Sequence, residues 1–91
     1  MHAVVVKVNI NDFERGRGFL TEQVVPRVSQ APGFVAGYWT RSDDRSNGLS
    51  MLVFETEDGA RAMADRIRGA DWMPETVLLE SAEVREVIGN A

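Results

Sequence analysis

The chain has 91 residues, 44% of them hydrophobic and 26% charged, which predicts one compact domain spanning 1–91 and excludes a second domain. A domain of this size is marginally stable unless disulfides, a metal or another subunit support it. The sequence has no cysteine and one histidine, so disulfides are excluded and a structural zinc site is not expected. Association with another subunit is therefore the expected support.

The charge and the hydropathy of the sequence argue against nucleic acid and membrane as binding partners. The formal net charge of −4 has the wrong sign for a protein that binds a phosphate backbone. No apolar run approaches the roughly 20 residues of a membrane span, and the N-terminus lacks the pattern of a secretory signal. We expect a cytoplasmic protein that binds neither nucleic acid nor membrane.

The N-terminal third predicts a strand followed by a helix. β-Branched residues dominate 3–10, which favours a strand. Asn11, with Glu14 three residues later, has the pattern of a capping box and predicts that a helix begins there. Pro26 is expected to kink or shorten that helix.

The middle of the chain predicts a β-hairpin. Residues 34–40 are rich in aromatic side chains and predict the second strand. The polar stretch 41–48 ends in Asn47-Gly48, a pair suited to positive φ, and residues 49–55 predict the third strand.

The last part predicts a helix and a strand. Thr56 can cap a second helix that ends near Gly69, and residues 76–88 predict a long fourth strand with a bulge near Ser81. The order βαββαβ predicts an α+β, ferredoxin-like fold. In this fold a four-stranded antiparallel sheet has strands one and three at its centre and both helices on one face.

Strands one and three carry apolar side chains on both faces. On strand one, period-two alternation separates Val4, Val6, Val8 and Ile10 from Ala3, Val5, Lys7 and Asn9. Because both helices lie on one side, the second face is expected to pack against another copy of the chain. A monomer with a partly apolar sheet is the alternative.

The chain resembles one known group of proteins in three features. These are the element order, the stretch Pro32 to Trp39 at the start of strand two, and the stretch Val53 to Thr56 at the end of strand three. This is the dimeric α/β-barrel superfamily, nearest to its antibiotic-biosynthesis-monooxygenase-like (ABM-like) branch. The resemblance implies two ferredoxin-like subunits joined into a barrel, with a pocket between sheet and helices or within the barrel. It also implies a small-molecule function, such as cofactor-free oxygenation of aromatic polyketides or haem degradation.

The resemblance also allows a test for haem. The haem-degrading members use an Asn on the first strand, a Trp near the end of the third and a His on the second helix. The corresponding stretches here offer Lys7 or Asn9, Phe54 and no histidine. We therefore expect no haem, no other cofactor and no metal.

Two polar residues on strand one are the candidate catalytic residues. Lys7 lies among valines, where a charged side chain is costly unless it is paired. It can form an ion pair with a strand-four glutamate such as Glu80 or Glu83, or occupy a solvated edge position. Alternatively, it can polarise or deprotonate a phenolic or enolic substrate. Asn9 shares its face and can orient a carbonyl or dioxygen, or simply end the strand.

The candidate ligand-binding residues are large aromatics and one arginine. Aromatic side chains most often belong to a core or an interface, but with Lys7 and Asn9 they can also line an apolar pocket. The candidates are Tyr38, Trp39, Phe54 and Trp72, with Arg41 as an anchor for an anionic group. The sequence thus predicts a homodimer that binds a small apolar or aromatic molecule. Cofactor-free monooxygenation is the candidate reaction, and a non-catalytic binding or sensing module is the alternative.

Overall fold

The computed structural model describes residues 1–11, 18, 20–69 and 77–91, and its centre is a four-stranded antiparallel sheet. The strands are β1 (His2–Ile10), β2 (Phe34–Arg41), β3 (Asn47–Phe54) and β4 (Val77–Glu86). Their order across the sheet is β2-β3-β1-β4, so the first and third strands are central. The predicted ferredoxin-like fold is confirmed.

The helix before β2 changes its geometry at a proline. A π-helical turn, Leu20–Val24, runs into the short α-helix α1 (Val25–Ser29), with Pro26 in the first turn of α1. Proline has no N–H to donate and its ring crowds the carbonyl four residues earlier, so a regular α-helix cannot continue through it. Pro26, predicted to kink or shorten this helix, lies just after the point where the π-helical turn passes into α1. The capping box at Asn11 depends on Glu14, which lies outside the described residues.

The second helix, α2 (Glu57–Arg68), begins where the sequence predicts. The Oγ1 atom of Thr56 accepts a hydrogen bond from the backbone N–H of Gly59 at 3.1 Å, which satisfies one of the unpaired donors of the first turn. The buried face of α2 consists of Ala60, Met63, Ala64 and Ile67. They pack with Val4, Val6, Val28, Leu52, Phe54 and Ala82 to form the core. In the part of the chain that the structure describes, no helix is long and apolar enough to cross a membrane.

The turn between β2 and β3 lies earlier than predicted. Residues 47–48 belong to β3, and the positive φ of this region is at Arg45 (63°). The carboxylate of Asp44 accepts hydrogen bonds from the hydroxyl of Ser42 (2.6 Å) and from the backbone N–H of Ser46 (3.0 Å). The loop thus lies within the predicted stretch 41–48, but the positive φ expected at Asn47-Gly48 is not found, because these side-chain hydrogen bonds close the loop before that pair.

A bulge in β4 is confirmed at the predicted place. Lys7 of β1 pairs with Ser81, whereas the next residue, Val8, pairs with Leu79. Glu80 is therefore the extra residue of β4. Such a bulge changes the direction of the side chains that precede it.

The sheet has two different faces. One packs against the helices and contains the core residues of β1 and β3; we call it the helix face. The other, here the open face, is not covered by either helix. It carries large apolar side chains that stay exposed on the single chain: Tyr38 (66%), Leu49 (44%), Met51 (46%) and Leu78 (58%).

Candidate functional site

The sheet separates the predicted site residues into two groups. The open face carries Lys7, Asn9 and Tyr38. Their cross-strand partners on β3 are Leu49, Asn47 and Met51, which lie on that face. The helix face carries Arg41, Trp39 and Phe54. Arg41 and Trp39 pair with Gly48 and Ser50 of β3, and alternation places those two residues on the same face as Phe54. Trp72 lies outside the described residues. A single chain therefore does not bring these side chains into one pocket.

Three aromatic rings form a row on the helix face. The indole of Trp39 covers Gly37, since a Cβ at position 37 would be 2.9 Å from its Cη2 and Cζ3 atoms and 3.1 Å from Cζ of Phe34. Phe34 meets Phe54 edge to face, with ring centroids 5.8 Å apart and planes at 81°. Edge-to-face contact is a preferred arrangement for aromatic pairs. The row thus runs from the edge strand β2 to the centre of the sheet.

The two ends of this row differ in burial. Phe54 is completely buried in the core, whereas Trp39 is only half-buried. Nearby sheet residues on the same face are half-buried as well. We call this region the Trp39 surface; it consists of Val8, Ile10, Trp39, Ser50 and Leu79. It is apolar, lies on the helix face and is incompletely covered.

Two hydrogen-bond donors belong to the Trp39 surface. In the sheet, Ser50 lies between Val6 of β1 and Trp39 of β2. Within the described ranges, neither the Ser50 hydroxyl nor Nε1 of Trp39 has a hydrogen-bond partner. A mostly apolar surface with a few polar groups is typical of a small-molecule site. Ser50 is not among the site residues predicted from the sequence, although alternation places it on the same side of the strand as Leu52 and Phe54.

Arg41 follows Trp39 on β2 at the end of the strand. Its side chain belongs to the helix face and is exposed. This position fits an anchor at the rim of the Trp39 surface, but its role in binding remains a prediction.

The open-face candidates have different surroundings. Lys7 is exposed, and no carboxylate lies within ion-pair distance of it among the residues described. Glu80 accepts a hydrogen bond from Nδ2 of Asn9 at 2.8 Å, and Glu83 pairs with Arg85 at 2.7 Å. The predicted ion pair of Lys7 with Glu80 or Glu83 is thus not formed within the chain, and Asn9 holds Glu80 instead.

A groove between α2 and β4 has the wrong chemistry for an apolar ligand. Its volume is about 430 Å³, and its walls are Arg61, Asp65, Arg68, Glu83 and Val84. Arg68 donates to the backbone oxygen of Ala82 and pairs with Asp65 at 3.4 Å. Arg61 pairs with Glu57 and Glu83 with Arg85, both outside the groove. The charged groups of the groove therefore already have partners, and we do not assign it a ligand.

Comparisons with solved structures identify the fold. No protein-family model matches this sequence, and no curated protein does. A Nitrosomonas europaea protein assigned as an antibiotic biosynthesis monooxygenase is 18% identical over 98% of this chain and 100% of its own, with a TM-score of 0.64. A MhuD variant with two manganese protoporphyrin IX molecules bound per active site is 11% identical over 100% of this chain and 98% of its own (TM-score 0.66). A Streptomyces coelicolor monooxygenase from the ActVA-Orf6 gene, in complex with nanaomycin D, is 14% identical over 98% and 89% (TM-score 0.60).

The chain has the ABM-like fold. The resemblance seen in the sequence is confirmed at the level of the fold, because every one of these similarities extends over nearly the whole chain. Identities of 10–20% do not carry residue roles across, so the site must be argued from this chain's own residues.

Helix α2 offers no axial ligand to a haem iron. A haem iron needs an axial ligand such as His, Met, Cys or Tyr. Helix α2 contains no histidine, and its Met63 is buried in the core. The one histidine of the sequence, His2, lies 3.9 Å from Glu57, at the N-terminal end of α2. In the described part of the chain, no group of three or more metal-binding side chains occurs either.

Proposed function

We propose that this chain is a homodimer that binds a small, largely apolar or aromatic molecule at the Trp39 surface. The observation that carries the proposal is the half-buried Trp39 indole beside the Ser50 hydroxyl, on the helix face of the sheet. An apolar surface supplies most of the binding free energy, and two donors orient the ligand. Small molecules bound in two proteins of the same fold support this proposal.

The open face supports the proposed homodimer. Soluble monomers rarely expose large contiguous apolar patches, and this face carries four large side chains that are 44–66% exposed. A second copy would cover each face with its equivalent, as two-fold symmetry requires. Light scattering at micromolar concentration is expected to give twice the 10.1 kDa subunit mass. A monomer under these conditions would contradict the dimer.

The proposed reaction is cofactor-free oxygenation. Dioxygen reacts slowly with neutral closed-shell organic molecules, so the substrate must first ionise to a phenolate or carbanion. Lys7 is the candidate base or cation for that step. Because Lys7 is on the open face, the substrate of this reaction would have to reach the interior of the barrel that two sheets form.

Lys7 and the Trp39 surface lie on opposite faces of the sheet, and this separation favours a second candidate function. No carboxylate or lysine in the described part of the chain belongs to the Trp39 surface, which therefore has donors but no general base. Such a surface binds a ligand without promoting its ionisation. Non-catalytic binding or sensing is thus the alternative to oxygenation, and turnover distinguishes the two.

Thermal shift with anthrone and 1,4-naphthohydroquinone tests the binding proposal. We expect at least one of them to raise the Tm of the wild-type protein and to leave that of Trp39→Ala unchanged. Tyr38→Ala is the matched control, because it removes the neighbouring aromatic ring on the opposite face. Measured where it is still dimeric, it should keep the shift. A shift that survives in Trp39→Ala, or is absent in the wild type with both probes, would place the ligand elsewhere or reject this class of ligand.

A further inference from the structure

Among the described residues, the charges of the open face sum to zero within one chain, but only two of them are paired. In the four strands, its charged side chains are Lys7 on β1 and Glu80, Glu83 and Arg85 on β4. Glu83 and Arg85 neutralise each other through an ion pair of 2.7 Å. Lys7 and Glu80 remain, and they are not paired with each other.

Lys7 occupies the part of the open face that a second sheet would cover. It belongs to a central strand, and its partner in register on β3 is the exposed Leu49. Covering this region with apolar side chains would remove water from the ammonium group. An ammonium buried without a counter-charge strongly opposes association.

Glu80 is held in place by its own chain. The bulge in β4 makes it the extra residue, and Asn9 donates to its Oε1 atom at 2.8 Å. The amide of Asn9 is neutral, so the hydrogen bond orients the carboxylate without cancelling its charge. In this position Glu80 forms no ion pair with Lys7 of its own chain.

Two-fold symmetry links these observations. In an isologous interface the group that meets Lys7 also belongs to the open face, and Glu80 is its unneutralised carboxylate. We propose that Lys7 of each protomer pairs with Glu80 of the partner subunit, and that the two equivalent ion pairs fix how the sheets face each other. This inference rests on the proposed homodimer. Asn9 is then a positioning residue, because it acts through Glu80.

Subunit exchange tests whether the pairs run between subunits. Lys7→Glu and Glu80→Lys each place like charges together in their own homodimers, so each should dimerise at least about tenfold more weakly than the wild type. In a heterodimer of the two variants both inter-subunit pairs are attractive again. With one variant labelled with ¹⁵N, native mass spectrometry should show heterodimer well above the one half expected from random exchange.

The control replaces a carboxylate that is already paired. Because Arg85 neutralises Glu83, a mixture of Lys7→Glu with Glu83→Lys should exchange at random. Circular dichroism of each variant establishes that it is folded. Asn9→Ala should weaken the dimer by a smaller factor than Glu80→Gln, because the carboxylate is still present.

Two results distinguish a failure of the proposed ion pairs from a failure of the proposed homodimer. A wild-type protein that is monomeric in sedimentation at all concentrations would reject the homodimer and the ion pairs with it. A wild-type dimer whose Lys7→Glu and Glu80→Lys variants exchange at random would leave the homodimer standing. It would overturn the pairing between subunits.

Discussion

The indole of Trp39 lies directly on the backbone of Gly37, where a Cβ atom would come within 2.9 Å of two ring carbons. The missing side chain at 37 leaves room for the indole over the backbone, beside the ring of Phe34. Position 37 therefore determines the shape of the Trp39 surface without belonging to it. Any larger residue at 37 must displace the ring.

Gly37→Ala tests this relationship. Forcing a methyl group into a filled space typically costs about 1–3 kcal/mol, partly offset by the lower chain entropy of alanine in the unfolded state. We expect a lower free energy of unfolding in urea, changed tryptophan fluorescence and weaker binding of the probe that shifts the wild-type Tm. Gly89→Ala is the control, because a Cβ there has no neighbour within 4 Å. Equal behaviour of the two variants would show that the ring does not need the glycine.

Ser50→Ala tests the polar part of the proposed site. Because the hydroxyl has no hydrogen-bond partner in the described ranges, its removal should leave the stability unchanged or slightly higher. A ligand that accepts a hydrogen bond from it should lose about 0.5–1.5 kcal/mol of binding free energy, roughly a factor of two to ten. Calorimetric titration with anthrone, which has a carbonyl, and with anthracene, which has none, separates the contributions. An equal loss for both ligands would exclude hydrogen bonding by Ser50.

Lys7→Met tests the proposed reaction. A positioned general base typically contributes about 10²–10⁴ in rate, so oxygen consumption with an anthrone or hydroquinone should fall by at least the smaller factor. Asn9→Ala should lower it less. Since Lys7 also belongs to the open face, rates must be compared at concentrations where light scattering shows both proteins as dimers. No consumption by the wild type, or unchanged consumption by Lys7→Met, would favour the binding module.

The sequence predicted the faces of single strands well but not the grouping of the site. Alternation in β1 correctly separated Val4 and Val6 from Lys7. The same rule places Tyr38 and Trp39 on opposite faces, although both were assigned to one pocket. Side-chain alternation is local and was sufficient for both points.

Register between strands was the part that the sequence could not supply. Ser50 lies opposite Trp39 because of the register in which β2 pairs with β3. That register changes between Phe34 and Ala36, where the strand is irregular. The position of the turn within the predicted loop 41–48 could not be predicted for a related reason. Side-chain hydrogen bonds to Asp44 compete with the backbone preferences of Asn47 and Gly48.

Asp44 makes the stability of the hairpin depend on pH in a defined range. Hydrogen bonds from Ser42 and Ser46 lower the pKa of its carboxyl to about 2. The usual value in an unfolded chain is about 3.9, so the folded state favours the ionised form. Its contribution to stability is therefore complete above about pH 4 and is lost as the pH falls through about 2.

Asp44→Asn should consequently destabilise the protein at pH 7, and the difference from wild type should shrink between about pH 4 and pH 2. Urea unfolding at a series of pH values measures it. Asp43→Asn is the matched control, since the neighbouring Asp43 carboxyl makes no hydrogen bond within the described residues. Its difference from wild type should be smaller at pH 7. A constant difference between Asp44→Asn and wild type across this range would mean that ionisation of Asp44 does not stabilise the turn.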